Sequence, residues 1–178
     1  MHNYTYSMTR NSDAEFIAFP FRFEITVNLP ASELWQEWEN THSDHTKSWL
    51  WPLKFSQPSV EPCPAQKGGL LTLTYQIPNP HDSSKPPKNA TYQFHILAWD
   101  PAKMYFKYAA TDDHPFLQGG GALQISPLSE EQCSLVWEGE YRHVANDSSA
   151  EAQGDVFVFF LAQFFNTLAQ NVKKKIGF

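Results

Sequence analysis

The sequence has few cysteines, few charged residues and no long apolar run. Two cysteines, Cys63 and Cys133, are too few for a disulfide framework, so we expect reduced thiols and a fold held by hydrophobic packing. Thirteen basic against 19 acidic residues give a net charge of −6, which disfavours binding to nucleic-acid phosphates. The longest apolar run, residues 156–162, is far shorter than the roughly 20 residues that a membrane span needs. With a polar N-terminus unlike a signal peptide, these absences predict a cytoplasmic protein.

Aromatic side chains are abundant instead, because Phe, Tyr and Trp make up 15% of the 178 residues. A chain of this length predicts one domain with a sizeable hydrophobic core. Residues 1–16 are predicted to be a flexible leader, and residues 17–178 a single domain. Three stretches rich in proline, glycine or small polar residues are predicted to be loops within that domain: 58–69, 78–89 and 145–154.

Alternation of apolar and polar residues predicts a sheet with one buried and one exposed face. The first strand places five apolar residues at every second position: Phe19, Phe21, Phe23, Ile25 and Val27. Segments around residues 71–77, 92–98, 104–108, 123–125 and 135–141 alternate in the same way. Short turns between them, such as Asp100–Pro101, favour antiparallel neighbours.

Helices are predicted at two places. Pro30 suits the start of a short helix over residues 31–38, and Asp44 is a candidate cap for a second short helix. Residues 151–175 form a long amphipathic helix with a broad apolar stripe, although Phe159 falls on its polar side. The fold class is therefore α+β, with a curved antiparallel sheet of about six to seven strands wrapped on the long C-terminal helix and two short helices after the first strand.

Three features together resemble a known superfamily. They are the run FEITVNLPASELW at residues 23–35, the turn Asp100–Pro101 between two strands, and the closing amphipathic helix. The chain is similar over about residues 19–176 to the START-like, Bet v 1-like (SRPBCC) superfamily, and most to its polyketide cyclase/dehydrase-type branch. The resemblance implies a helix-grip fold and makes residues 17–178 a START-like ligand-binding domain with a deep cavity between sheet and helix. Members bind lipids, sterols, quinones, polyketides or plant hormones, and some catalyse cyclisation or dehydration; no catalytic signature carries over to positions here.

Side chains on the predicted inward faces are candidates for contact with a ligand. Tyrosine and tryptophan there would orient a mostly apolar molecule by their polar tips. The same rings also suit large core fillers, and the sequence leaves both interpretations open. The candidate ligand-binding residues are Tyr75, Tyr92, Phe94, Tyr108, Trp137, Tyr141, Phe157, Leu161 and Phe164.

Other polar motifs are weaker candidates. His42 and His45, with Asp44 between them, have a spacing that suits zinc or a general base, but no third ligand is evident. We interpret them as solvated residues at a helix end, and predict neither a metal nor a cofactor.

Glycines 119–121 are followed by a strand and so indicate a bulge or the start of a strand rather than a phosphate loop. Four tryptophans suit either a small core under the short helices or the mouth of the cavity: Trp35, Trp38, Trp49 and Trp51.

Three functional hypotheses follow. The first is binding or carriage of a hydrophobic small molecule, such as a lipid, a quinone or a polyketide-like compound. The alternative is a cyclase or dehydratase-type enzyme acting on a hydrophobic substrate in the same cavity, and the catalytic residues of such an enzyme are unknown. The third is a protein-interaction role, such as a chaperone cofactor or a homodimer, with Phe159 as a candidate contact.

Overall fold

The computed structural model describes residues 4–13, 15–77, 88–111, 118–145 and 147–176. In chain order the elements are β1 (Tyr4–Met8), β2 (Asn11–Ser12), β3 (Phe16–Val27), α1 (Ala31–Ser43), a 3-10 turn (His45–Lys47), β4 (Ser56–Glu61), β5 (Leu70–Ile77), β6 (Lys88–Asp100), β7 (Tyr105–Ala110), β8 (Gln118–Pro127), β9 (Cys133–Val144) and α2 (Ser148–Ile176).

All strands belong to one antiparallel sheet in the order β1-β3-β9-β8-β7-β6-β5-β4, with β2 also paired to β3. From β4 to β9 each strand pairs with its neighbour in the chain, whereas β3 pairs with β9 over its whole length, from Phe16↔Val144 to Val27↔Cys133. Every second residue of β3 from Ile17 to Val27 is buried, as the alternation predicts. Each fully buried ring or branched side chain contributes roughly 1.5–3 kcal/mol, so this face stabilises the fold.

Helix α2 packs on the buried face of the sheet, against β9, β3 and β1. The ring of Phe165 stacks on Phe23 with centroids 4.8 Å apart and lies 5.7 Å from Phe21. The helix-grip arrangement predicted from the sequence is therefore confirmed. No helix in the described ranges is long and apolar enough to span a membrane. The buried stripe of α2 comprises Phe160, Leu161, Phe164, Phe165, Leu168, Ala169 and Val172.

The helical region after β3 differs in detail from the prediction. Helix α1 extends to Ser43, and the second helix is only the 3-10 turn. Asp44 does not cap it through a hydrogen bond to the backbone. Its carboxylate instead accepts a hydrogen bond from the Thr46 hydroxyl at 2.5 Å and pairs with the Lys47 ammonium at 2.7 Å.

The N-terminal segment is not a loose leader over residues 4–8 and 11–12, which form β1 and β2 on the outer side of β3. Tyr6 packs on Phe165 with centroids 5.2 Å apart, and the Tyr4 hydroxyl donates to Asn166 Oδ1 at 2.9 Å. Tyr4, Tyr6 and Met8 alternate with polar residues over only five positions, and the pairing with β3 identifies the segment as a strand.

Strand β4 is a second correction, because it lies partly in the predicted loop 58–69. Pro58 is tolerated there because β4 is an edge strand paired with β5 alone, so its missing N–H removes no ladder bond. Together with β1 and β2, strand β4 raises the number of strands in the sheet above the six to seven expected. The predicted loop 78–89 lies outside the described residues except for its last two, which begin β6; α2 begins at Ser148, inside the predicted loop 145–154.

Candidate functional site

A small cavity lies between α2 and the buried face of the sheet. It offers about 20 Å³, which is room for roughly one water molecule. Strands β3, β4, β5, β7 and β9, helix α2 and the segment before β4 all contribute to its wall. The lining comprises Phe21, Trp51, Ser56, Leu73, Tyr75, Tyr108, Trp137, Tyr141, Phe160, Leu161, Phe164 and Phe165.

The deep open cavity that the resemblance implies is not present at this position, because aromatic rings fill it. Phe160 packs edge-on against Tyr75 with centroids 4.9 Å apart, and Phe164 does the same against Trp51 at 5.1 Å. Rings from the helix thus interdigitate with rings from the sheet and the loop. A ligand larger than water can enter only if some of these rings move.

Three polar tips form a chain inside this aromatic wall. The Trp137 indole N–H donates to the Tyr108 hydroxyl at 3.1 Å, and the Tyr108 and Tyr141 hydroxyls are 2.8 Å apart. Burial raises the pKa of Tyr108 to about 12 and that of Tyr141 well above 10. Both phenols are therefore neutral near pH 7, and they act as hydrogen-bond donors and acceptors rather than as bases.

Glycine in β8 makes room for this chain. A Cβ on Gly121 would lie 2.7 Å from the Tyr108 hydroxyl oxygen, and one on Gly120 would lie 2.1 Å from the Tyr108 carbonyl oxygen. The glycines therefore allow the Tyr108 ring and the β7 backbone to approach β8 closely. They lie near the start of β8, as one of the two predicted alternatives supposed, and the register with β9 runs through them without a bulge.

Trp51 and Ser56 close the cavity at the start of β4. The Trp51 indole N–H donates to the Ser56 carbonyl oxygen at 3.0 Å. The Ser56 hydroxyl is buried and has no hydrogen-bond partner among the described residues. Buried hydroxyls are normally paired, so this one is free to bind a polar group that enters the cavity.

The predicted ligand-binding residues separate into two groups. Tyr75, Tyr108, Trp137, Tyr141, Leu161 and Phe164 line the cavity. Tyr92, Phe94 and Phe157 do not line it but pack directly behind it: Tyr92 on Tyr75 at 5.4 Å, Phe94 on Tyr108 at 5.4 Å and Phe157 on Tyr141 at 5.0 Å. Whether any of them contacts a ligand remains a prediction.

Sequence reasoning did not select Ser56 or give Trp51 a defined role. Ser56 begins β4, an edge strand that was not predicted because Pro58 indicated a loop there. Trp51 follows the 3-10 turn, and no periodic pattern surrounds it. Phe21, Leu73, Phe160 and Phe165 lay on the predicted apolar faces, but alternation alone does not tell which apolar side chains border a cavity.

The tryptophans of α1 form a core next to this cavity, and His42 belongs to that core. His42 is only 3% exposed, so its interpretation as a solvated residue at a helix end is wrong. It lies four residues after Trp38 and therefore on the same helical face, which is the signal that identifies it. Its ring lies 4.6 Å from Trp38 and 5.6 Å from Trp51, centroid to centroid. Burial lowers the pKa of His42 from 6.5 to about 4, so the ring is neutral at pH 7.

Glu37 holds the segment that carries Trp51. Its carboxylate Oε1 accepts a hydrogen bond from the Trp49 backbone N–H at 2.9 Å and another from the Ser48 hydroxyl at 3.0 Å. The Ser48 hydroxyl also accepts a hydrogen bond from the Trp51 backbone N–H at 3.1 Å.

Among the residues described, no three His, Cys, Asp or Glu side chains are placed to hold a metal ion.

Comparison with known proteins relates this arrangement to a family. The family model described as polyketide cyclase / dehydrase and lipid transport matches residues 18–177. A comparison with curated protein sequences gave no match.

Solved structures share the fold at low sequence identity. The Zhui aromatase/cyclase from Streptomyces sp. R1128 is 14% identical, with a TM-score of 0.63 over 89% of this chain and 96% of that one. Norcoclaurine synthase from Thalictrum flavum, in complex with dopamine and hydroxybenzaldehyde, is 13% identical, with a TM-score of 0.55 over 97% and 90%. Ara h 8.0201 is 16% identical, with a TM-score of 0.54 over 89% and 99%. At these identities the likeness concerns the fold.

Proposed function

Because the chain belongs to the polyketide cyclase / dehydrase and lipid transport family, we propose that it binds a hydrophobic small molecule between α2 and the sheet. The ligand class is a lipid, a quinone or a polyketide-like compound. The observation that carries the proposal is the cavity wall, in which apolar and aromatic side chains surround one short chain of hydroxyl and indole groups. Small-molecule sites have this composition, with a few polar groups that fix the orientation of an apolar ligand.

Binding must open the cavity, because about 20 Å³ is far below the roughly 300–1,000 Å³ of typical ligand sites. The open form is then a minor population, and the apparent affinity is reduced by the fraction of molecules that are open. We expect slow association that does not reach the diffusion limit, since ring displacement precedes or accompanies entry.

The test is displacement of the dye ANS from the purified protein by oleate and by menadione, together with native mass spectrometry for a co-purified apolar compound. The informative variant is Leu161→Trp, which places a large ring at a lining position that is only 6% exposed. Phe159→Trp is its matched control, because it introduces the same ring on the same helix at a position that is 64% exposed. We expect Leu161→Trp to weaken binding at least tenfold and Phe159→Trp to leave it unchanged. Equal behaviour of the two variants, with both folded, would argue against this site.

An enzyme of the cyclase or dehydratase type is the second candidate, and the neutral Tyr108–Tyr141 pair favours it. A phenol that stays protonated can donate a hydrogen bond to a carbonyl oxygen and so stabilise the negative charge that develops there during enolisation. The assay is conversion of a linear β-polyketone thioester, followed by absorbance. We expect Tyr141→Phe to lose turnover while binding changes only a few-fold. Absence of turnover by the unmodified protein would contradict the enzyme candidate, and binding would then be the only proposed function.

Association into a homodimer and a cytoplasmic location both remain proposals from the sequence. Phe159 supports the first, because it is a large apolar side chain exposed on α2. Phe159→Glu should shift size-exclusion elution from dimer to monomer. Monomeric elution of the unmodified protein at high concentration would contradict the dimer.

A further inference from the structure

His42 presents an unpaired acceptor in the core beside the cavity. Its Nδ1 lies 2.8 Å from the Trp38 backbone carbonyl oxygen. A carbonyl oxygen can only accept, so Nδ1 carries the proton of the neutral ring and Nε2 has a free lone pair. Nε2 is buried and has no hydrogen-bond partner among the described residues. Such unpaired buried acceptors are uncommon in native proteins, and this one belongs to a ring that contacts the cavity-lining Trp51.

The ring contacts of His42 are aromatic. Besides Trp38 and Trp51, its ring contacts are Trp99 at 5.4 Å and Phe106 at 5.8 Å, centroid to centroid. Four aromatic rings of the described residues therefore pack on the ring that carries the unpaired Nε2. An enclosure of this kind suits a flat apolar molecule that carries a hydroxyl donor.

Trp51 links His42 to the cavity. Its side chain lines the cavity and also packs edge-on against the His42 ring. Trp51 is the one described lining residue that lies outside a helix or strand, so its side chain can turn without breaking the sheet or α2. The polar contact of its indole, to the Ser56 carbonyl, lies at the cavity wall.

We propose that His42 Nε2 accepts a hydrogen bond from a hydroxyl group of the cavity ligand, and that the ligand contacts it by displacing the Trp51 indole. This inference rests on the proposed binding function and specifies the ligand as an aromatic or enolic hydroxyl compound. His42 is then a binding residue that sets specificity.

The test compares two probes that differ in the hydroxyl donor, 1-naphthol and 1-methoxynaphthalene, by titration calorimetry. The unmodified protein should bind 1-naphthol about three- to tenfold more tightly, which is the effect of one hydrogen bond. In His42→Leu the two probes should bind equally. His143→Leu is the matched control, because His143 is also buried, with an Nε2 that has no partner among the described residues, but its ring packs on Phe19 rather than on the cavity-lining Trp51. It should keep the preference.

A measurement on the unmodified protein covers the case in which His42→Leu fails to fold. The ¹⁵N resonance of His42 Nε2 should have the position of a free lone pair, and should move upfield with 1-naphthol but not with 1-methoxynaphthalene. An unmoved resonance, or a preference for 1-naphthol that persists in His42→Leu, would overturn the assignment while leaving the proposed binding function intact. Failure of both probes to bind the unmodified protein would overturn the binding function and this inference with it.

Discussion

The burial of His42 predicts a loss of stability in mild acid. The folded-state pKa of about 4 lies below the ordinary value of 6.5, because burial disfavours the charged ring. The unfolded chain therefore binds a proton at a pH where the folded chain does not, and stability falls as the pH drops from about 6.5 to about 4. At about 1.4 kcal/mol per pKa unit, the difference corresponds to a loss of roughly 3 kcal/mol.

Urea unfolding at pH 7, 6, 5 and 4 measures this loss of stability. The substitution His42→Leu removes the imidazole whose protonation causes it. The other titratable groups are the same in both proteins, so their contributions to the free energy of unfolding cancel in the comparison. Asp44, with its pKa lowered to about 2 by its hydrogen bonds to Lys47 and Thr46, acts at lower pH. The phenols with raised pKa values act only in strong base. We expect the unmodified protein to lose roughly 3 kcal/mol more than His42→Leu between pH 7 and pH 4. Parallel pH profiles of the two proteins would refute the buried neutral state of His42.

Substitutions at three further positions test other contacts, each by equilibrium urea unfolding at pH 7. Tyr108→Phe leaves the Trp137 indole N–H without its acceptor and should lower stability by about 1–3 kcal/mol; an unchanged midpoint would contradict the hydrogen-bonded chain. Glu37→Ala removes the acceptor for the Trp49 N–H and should cost about 1–3 kcal/mol, and Glu37→Gln, which keeps an oxygen acceptor, should lose less; an unchanged midpoint in Glu37→Ala would show that the carboxylate is not needed. Gly120→Ala places a Cβ 2.1 Å from a carbonyl oxygen of β7 and should destabilise by about 1–3 kcal/mol; a neutral result would mean that the strands separate freely.

Much of the fold is predictable because its strongest signals are local. Alternation indicates which face of β3 and of β9 is buried, and the apolar stripe does the same for α2. Neither signal depends on what the element packs against. The edge strands β1 and β4 were not predicted because β1 has only five residues and β4 contains Pro58. Their places in the sheet are decided by pairing with β3 and β5, and for β1 also by the contact of Tyr6 with Phe165, which is far away in the sequence.

The sequence by itself determined the apolar faces, the antiparallel order of the later strands and the resemblance that implies a helix-grip fold. Only the tertiary structure decided that aromatic rings fill the hollow, that Tyr108, Tyr141 and Trp137 join in one chain, and that His42 is buried behind Trp51. The physical reason is that periodicity specifies the direction of a side chain relative to its own element. The distance between two rings, and hence the space left for a ligand, depends on how separate elements pack together.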